Sequence, residues 1–397
     1  MTLPPPPDPY GSQPPQGGGQ PGGGVPPQWG SQQGGVPPQG FGGYGPPPQG
    51  QWGPQQQWPS GPGGQPPKSG KGKWILGGIA VVLAIALAVV ITVLVVRPAD
   101  GGGGNGDPTQ QNGDSEFASA DDTGPVNIIT EDPTCGAWVK IAQTVADGAK
   151  AVNWADRDQS IPATSWTAEQ KSMYDSMGPV MTRAADQTLE LSTRTPHRVM
   201  RELYQQYIAY SGLFVEKIPS YIAQDGNVAV VADTIANALS NICSAIDFGS
   251  APAVAPLVPD PKVPSGTVGP SLDENPPVML ATRSTACEKW EAAGERFNTD
   301  TENWRQIDPS IPAANWSPEQ RAANEAVGPI MSTNADELDS LARQFANPAA
   351  EDIAVLAAQY RRGFVAALPT YTSADNFLSQ TAARLVRTIN WACKAAK

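Results

Sequence analysis

Histidine, the side chain most often used in general acid–base catalysis, occurs only once in the 397 residues, at His197. It contains no H-E-x-x-H pair, no G-x-S-x-G turn and no G-x-x-x-x-G-K-[ST] loop, the signatures of zinc proteases, α/β-hydrolases and P-loop NTPases. The widely spaced cysteines do not provide the close ligand pairs of a zinc site. We therefore expect a protein that is not an enzyme, with no catalytic residue, no cofactor and no metal.

Basic residues are also scarce. The whole chain has a formal charge of −12, and residues 125–397 hold 22 Lys and Arg against 31 Asp and Glu, a formal charge of −9. A negative surface without a basic cluster is repelled by phosphate backbones. Nucleic acid is therefore excluded from the expected partners.

Two carboxylates recur in corresponding places, Glu169 with Glu319 and Asp186 with Asp336. A glycosidase uses a pair of carboxyl groups, so a lytic activity on an envelope polymer is the catalytic alternative. However, Glu169 and Glu319 lie in the predicted first turn of a helix, where a negative charge complements the helix dipole. We interpret these residues as structural.

Charged residues are absent from residues 74–96, WILGGIAVVLAIALAVVITVLVV. At about 1.5 Å per residue this helix is roughly 35 Å long, enough to cross a bilayer core. Lys68, Lys71 and Lys73 precede it, whereas only Arg97 follows before the chain becomes acidic. Because positive residues remain in the cytoplasm, we predict a single-pass signal anchor with a cytoplasmic N-terminus and extracytoplasmic C-terminal domains.

Aliphatic residues are almost absent before this span. Residues 1–67 consist mainly of Pro, Gly and Gln, with one charged residue, Asp8, and predict a disordered cytosolic tail. Residues 68–97 form the anchor with its basic flank. The Gly-, Asp- and Asn-rich residues 98–124 predict a flexible linker.

The remaining sequence contains one unit twice, as residues 125–249 and 281–397, separated by a proline-rich linker at 250–280. Asn153-Trp154 recurs as Asn303-Trp304, an offset of 150 that extends over many positions. We align Gln206-Tyr207 with Gln359-Tyr360, where the offset is 153. Repeats of this length predict tandem domains rather than solenoid turns.

Each copy begins and ends on a cysteine. Four cysteines allow three connectivities, but duplication selects Cys135 with Cys243 and Cys287 with Cys393. An even count on the outer side of a membrane favours disulfides. Each bond would stabilise its copy by roughly 4 to 5 kcal/mol in the chain-entropy model.

Four helices are predicted in each copy, which makes the fold class all-α: two tandem disulfide-closed four-helix bundles. Ser317-Pro318-Glu319-Gln320 is a capping-box start, and Thr167 begins the equivalent helix. Apolar residues at helical spacing define the buried faces. These are Val199, Leu203 and Tyr207 with Val228, Val231, Ile235, Leu239 and Ile242 in the first copy, and Ile353, Leu356, Tyr360 and Phe364 with Leu378, Leu385 and Ile389 in the second.

Paired tryptophans lie between the first two helices of each copy. Trp154, Trp166, Trp304 and Trp316 are the candidate lining of a groove for a glycan or peptide ligand, and packing inside the bundle is the alternative.

The layout resembles the proline-rich single-pass membrane proteins of mycobacteria and related actinobacteria, a group of largely unassigned function. The similar features are residues 34–53, GGVPPQGFGGYGPPPQGQWG, the border KSGKGKW at 68–74 and the alanine-rich outer portion. The resemblance implies a place in the cytoplasmic membrane and partners among envelope or membrane proteins. We expect a scaffold, adaptor or ligand-binding module; the alternative is an envelope sensor or accessory factor acting on peptidoglycan or other envelope polymers.

Overall fold

The computed structural model describes residues 116–267 and 269–397. The predicted tail, the predicted anchor at 74–96 and most of the predicted linker 98–124 lie outside these residues. The described ranges contain α-helices and 3₁₀ turns but no β-strand. The all-α prediction is therefore confirmed for this part of the chain.

Four long helices form each copy in the described residues. They are α1 (Cys135–Ala151), α2 (Ala168–Arg194), α3 (Arg198–Lys217) and α4 (Gly226–Asp247) in the first copy. A short helix, α5 (Ser250–Val254), follows. The second copy contains α6 (Thr285–Asp300), α7 (Pro318–Ala342), α8 (Pro348–Ala367) and α9 (Asn376–Ala395).

The predicted helix starts and buried faces agree with the structure. The backbone N–H of Gln320 donates to Ser317 Oγ at 3.2 Å, and the backbone N–H of Ser317 donates to Gln320 Oε1 at 3.0 Å, which completes the capping box. Thr167 caps α2 through the N–H of Gln170 at 3.1 Å. Every residue of the predicted stripes is buried. Local sequence patterns therefore determine these helices.

Disulfides join the first helix of each copy to its last helix. Cys135 is bonded to Cys243 and Cys287 to Cys393, the pairs that the duplication predicts. A fully buried tryptophan lies one turn after the first cysteine of each pair, Trp138 or Trp290.

The helix boundaries correct one part of the internal alignment. Helices α3 and α8 begin at residues 198 and 348 and have 20 residues each, so the offset remains 150. Tyr360 therefore corresponds to Tyr210, and the predicted offset of 153 at Gln206-Tyr207 is wrong. The repeated Gln-Tyr pair is a coincidence of two residue types on one helix.

The last helices of the two copies pack against each other in the most extensive contact between any two described elements. The ring of Phe248 stacks on Phe377 with centroids 5.2 Å apart at one end of this contact. Asn227 Nδ2 donates to the carbonyl of Lys394 at 3.3 Å at the other end. Because residues 227 and 377 are equivalent at an offset of 150, α4 and α9 meet through similar surfaces, as protomers of a two-fold dimer do.

The segments that lead into each copy contact the other copy. Tyr360 Oη on α8 lies 3.5 Å from the carbonyl of Ile129, which precedes α1. Reciprocally, the N–H of Met279, which precedes α6, donates to Gln206 Oε1 on α3 at 2.7 Å. The two copies thus share one hydrophobic core, an arrangement that the prediction of tandem domains did not include.

Both predicted linkers contribute to this body. At the end of the segment 98–124, Phe117 is buried, and the guanidinium of Arg198 donates to the carbonyls of Asp122 and Gly124 at 2.6 and 3.1 Å. The segment 250–280 includes α5, and Ser265 Oγ donates to Glu351 on α8.

One described helical stretch, Ala223–Asp247, is long and apolar enough to cross a membrane by length and composition. Its side chains Val231, Ile235 and Leu239 are fully buried within the protein. This burial accounts for its apolar composition.

Candidate ligand-binding site in the second copy

Backbone hydrogen bonds position the tryptophans of each copy. The N–H of Ala163 donates to the carbonyl of Tyr221 at 2.8 Å, and Ala313 makes the same bond to Tyr371 at 2.8 Å. The segment carrying the tryptophans is thereby held against the turn between the third and fourth helices. Trp316 Nε1 also donates to the carbonyl of Ile311 at 2.9 Å.

A short turn lies between the two tryptophans of each copy. The backbone N–H groups of Ser160 and Ser310 donate to Asp158 and Asp308 at 2.9 and 2.8 Å. Hydrogen bonds from Ser160 hold the pKa of Asp158 below its usual value, and those from Ser310 do the same for Asp308. Both carboxylates are therefore ionised at neutral pH, and their hydrogen bonds stabilise the turn.

In the first copy, protein fills the space between the two tryptophans. Tyr174 on α2 is fully buried. Its ring stacks on Trp166 with centroids 4.1 Å apart and meets Trp154 edge-on at 4.9 Å. Phe214 and Tyr221 pack around the same ring. Trp154 and Trp166 therefore act as packing residues here.

In the second copy, asparagine replaces this tyrosine. Asn324 lies 150 residues after Tyr174, and its Oδ1 accepts a hydrogen bond from Trp304 Nε1 at 2.9 Å. The smaller side chain leaves a cavity of about 270 Å³ whose wall includes Trp304 and Trp316. The predicted groove is thus a cavity in one copy and a filled core in the other.

A buried arginine lies in the wall of this cavity. Arg361 on α8 is only 5% exposed, and its guanidinium carbon lies 3.9 Å from the centroid of the Phe297 ring. Its Nη1 donates to Asn334 Oδ1. Burial lowers the pKa of Arg361 to about 9. The side chain remains a cation at neutral pH, and an uncompensated buried charge is energetically costly.

Three more arginines contribute to the lining: Arg305, Arg384 and Arg387. Within the described residues, none of the four cavity arginines forms an ion pair. Arg387 lies at the cavity mouth with part of its side chain open to solvent; partial burial of its guanidinium and the neighbouring Arg384 and Arg305 lower its pKa. The cavity therefore carries an excess of positive charge.

Two acidic residues lie near these arginines. Asp308 is in the wall but exposed to solvent. Asp233 on α4 of the first copy interacts with Arg384, and burial raises the pKa of Asp233 to about 7. Neither carboxylate reaches Arg361.

The first copy shows that the fold does not require this charge. Its equivalent residues, at an offset of 150, are neutral. They are Ser211 for Arg361, Ala184 for Asn334, Ala155 for Arg305, Thr234 for Arg384 and Asn237 for Arg387.

Sequence reasoning did not identify Arg361. Its signal is the buried stripe of α8, because position 361 is eight residues after Ile353 and three before Phe364, and therefore on the same helix face. A charged residue on such a face is the observation that points to a site.

The duplicated carboxylates are not brought together within a copy. Glu169 and Asp186 lie on the one helix α2 seventeen positions apart, roughly 25 Å at about 1.5 Å per residue. Glycosidase carboxyl groups are about 5–10 Å apart. Glu319 and Asp336 have the same separation on α7. His197 is partly exposed, and its Nε2 lies 2.8 Å from the carbonyl of Glu131.

The fold and the cavity define a class of protein: a duplicated, disulfide-closed helical body in which the space between the paired tryptophans is filled in the first copy (the filled copy) and open in the second (the hollow copy). Residues 117–397 match the family described as Mycobacterial ESX-1 associated protein, and the chain belongs to this family. The match begins at Phe117, the first buried residue of the described body.

An uncharacterized protein of Mycolicibacterium smegmatis (strain MKD8) is 41% identical to this chain over 351 residues. The similarity covers 86% of this chain and 91% of the relative. No solved structure matches. The resemblance to mycobacterial proteins of unassigned function is confirmed at this level.

Proposed function

We propose that this chain is a non-enzymatic envelope component of an ESX-1-related secretion system. In this role the anchor at residues 74–96 holds the two helical repeats outside the cytoplasmic membrane, where they act as an adaptor or ligand-binding module. Family membership supports the link to secretion. The two disulfides support an oxidising compartment.

One observation carries the binding function: Asn324 and Arg361 maintain a charged cavity where the first copy has Tyr174 and Ser211. A purely structural copy gains stability from filling this space, because cavities and unpaired buried charges both destabilise a fold. The hollow copy is therefore best explained by an occupant.

The shared core supports the adaptor role. The segment before the first helix of each copy packs against the other copy. Two partner proteins bound to different faces of this body would therefore be held in a fixed geometry. The aromatic residues of the predicted cytosolic tail, among them Tyr10, Trp29 and Trp58, are the proposed second contact region, on the other side of the membrane.

Crosslinking in mycobacterial cells tests this function. Tagged full-length chain is crosslinked and purified, alongside a variant without residues 1–67 and an Asn324→Tyr variant with a filled cavity. We expect membrane components of the ESX-1 system to copurify with the full chain and to decrease in at least one variant. Recovery of no secretion component from any sample would contradict the proposal.

Topology is tested separately. Alkaline phosphatase fused after Lys397 is expected to be active, whereas the same enzyme fused before Met1 is expected to be inactive. The reverse pattern would rule out extracytoplasmic repeats.

A second candidate is an envelope sensor or accessory factor acting on peptidoglycan or another envelope polymer. It is favoured by the tryptophans and asparagines in the cavity wall, since aromatic and amide groups suit sugar rings and hydroxyls. Cosedimentation of the full-length protein with purified peptidoglycan tests binding. We expect no release of fragments, and release that is lost in a Glu169→Gln plus Glu319→Gln variant would instead indicate an enzyme.

A further inference from the structure

The cavity in the second copy has an unbalanced charge at its buried end. The guanidinium of Arg361 donates a hydrogen bond to a neutral oxygen, Asn334 Oδ1. It also makes a cation–π contact with the ring of Phe297. A guanidinium carries five N–H donors, so most of them have no acceptor among the described residues. Oriented donors of this kind match the oxygens of a phosphate or carboxylate.

We infer that this cavity binds an anionic monosaccharide, with Arg361 contacting a phosphate or carboxylate group and Trp304 and Trp316 contacting the ring. The inference rests on the ligand-binding part of the proposed function and names the class of ligand.

The size of the cavity limits the occupant. At about 270 Å³ it is slightly smaller than the roughly 300–1,000 Å³ of most small-molecule sites. One sugar unit suits this volume, whereas a folded peptide or several linked sugars do not. A polymer is therefore bound only through a terminal unit or a single charged substituent.

The lining provides the remaining interactions. Trp304 and Trp316 lie in the wall, where aromatic rings can pack against a sugar; one face of Trp316 already stacks on Tyr371, with centroids 5.6 Å apart. Asparagine side chains provide donors and acceptors for hydroxyl groups. Asn298, Asn376 and Asn390 lie in the wall, whereas Asn324 and Asn334 already bond to protein groups. One of these oxygens, Asn390 Oδ1, is buried without a hydrogen-bond partner among the described residues.

The arginines at the mouth attract and retain the charged group. Arg384 and Arg387 lie three residues apart on α9, one turn of the helix, and Arg305 is close enough to lower the pKa of Arg387. Their positive field favours entry of an anion despite the net negative charge of the whole chain.

Isothermal titration calorimetry on the full-length protein in neutral detergent tests the inference. The probes are glucose 6-phosphate, glucuronate, inorganic phosphate and glucose. We expect at least one of the two charged sugars to bind, and glucose to bind about 10-fold or more weakly than that sugar. The ratio between the two charged sugars identifies phosphate or carboxylate as the preferred group.

Three variants locate the site. Arg361→Ser installs the residue type that the first copy tolerates at this position, and we expect affinity to fall about 10- to 100-fold. Asn324→Tyr fills the cavity and is expected to abolish binding. Arg362→Ser is the matched control, because the neighbouring Arg362 pairs with Asp336 and Asp339 instead.

Thermal unfolding establishes that each variant is folded. If Arg361→Ser does not fold, Arg361→Lys retains the charge without the planar fork, and an intermediate loss of affinity is expected. The inference is overturned if neither charged sugar binds, or if Arg361→Ser binds as well as Arg362→Ser. If neither charged sugar binds but secretion components still copurify with the chain, only the ligand class is wrong. If a charged sugar binds but no secretion component copurifies, the secretion role is wrong.

Discussion

The guanidinium of Arg198 and the carboxylate of Asp352 lie 2.7 Å apart, and this ion pair joins the two copies. Both side chains are almost completely buried. Glu202, which is equivalent to Asp352 at an offset of 150, lies beside the pair and is also buried. Burial and the adjacent Asp352 raise the pKa of Glu202 well above its ordinary value. The contact between α3 and α8 therefore combines an ion pair with a second acid whose ionisation is disfavoured by burial and by Asp352.

Removal of Arg198 is predicted to destabilise the protein strongly. Arg198→Ala leaves Asp352 as a buried, uncompensated charge, and breaking such a pair costs about 3–5 kcal/mol. The change is measured by urea denaturation of the full-length chain at pH 7. Arg194→Ala is the control, because the pair between Arg194 and Glu190 is exposed and its loss costs at most about 1 kcal/mol. Similar effects of the two substitutions would contradict the prediction.

Glu202 is predicted to make stability depend on pH. Its pKa is raised in the folded protein, so it remains protonated while the unfolded chain begins to ionise near the ordinary value of 4.5. This contribution to stability is complete below pH 4.5 and is lost as the pH rises towards the folded-state pKa. The groups facing Glu202 are Arg198, Arg201 and Asp352.

A Glu202→Gln variant tests this dependence, because glutamine stays neutral in both states. Its free energy of unfolding, relative to that of the unmodified chain, is expected to increase between pH 4.5 and pH 8. Glu190→Gln changes an exposed residue and serves as the comparison. A constant difference across this range would show that Glu202 is ionised in the fold.

Exchange of the residues at the position shared by Tyr174 and Asn324 is predicted to have unequal effects on stability in the two copies. Tyr174→Asn removes a fully buried ring between Trp154 and Trp166, and loss of a large buried aromatic side chain costs about 3–5 kcal/mol. Asn324→Tyr adds a ring to existing space but removes the acceptor of the Trp304 Nε1 hydrogen bond, so we expect a smaller destabilisation of about 1 kcal/mol. Equal destabilisation in both copies, measured by thermal unfolding, would mean that the cavity is not free space.

Separated copies are predicted not to fold as monomers. A chain ending at residue 277 loses the cover that α9 gives to α4 and the segment around Met279 that contacts α3. We expect either half alone to aggregate or self-associate, and the two halves expressed together to form one complex. Sedimentation and circular dichroism measure this outcome. A monomeric half with a cooperative thermal transition would establish independent domains.

Much of the helical architecture is predictable from local sequence. The stripe of Val199, Leu203 and Tyr207, the Ser317 capping box and the cysteine at each end of a copy all act over short distances or through duplication. These signals determine where helices begin and which face is buried.

The contacts between copies are not predictable in this way. No local pattern indicates that Ile129 lies against Tyr360 or that α4 covers α9, because an apolar face does not specify which partner buries it. Arg361 is not predictable as a site residue for a related reason: the sequence shows a charged residue on the buried stripe of α8, but not whether an acidic residue or a cavity faces it.

The reciprocal contacts between the two copies also explain how their interiors could diverge. In a homodimer of a single repeat, every substitution occurs in both protomers, so both interiors would be filled or both would be hollow. Joining the repeats in one chain removes that constraint while preserving the mutual contacts through Ile129 and Met279. The filled copy then supplies stability, and the hollow copy is free to accept a costly buried charge.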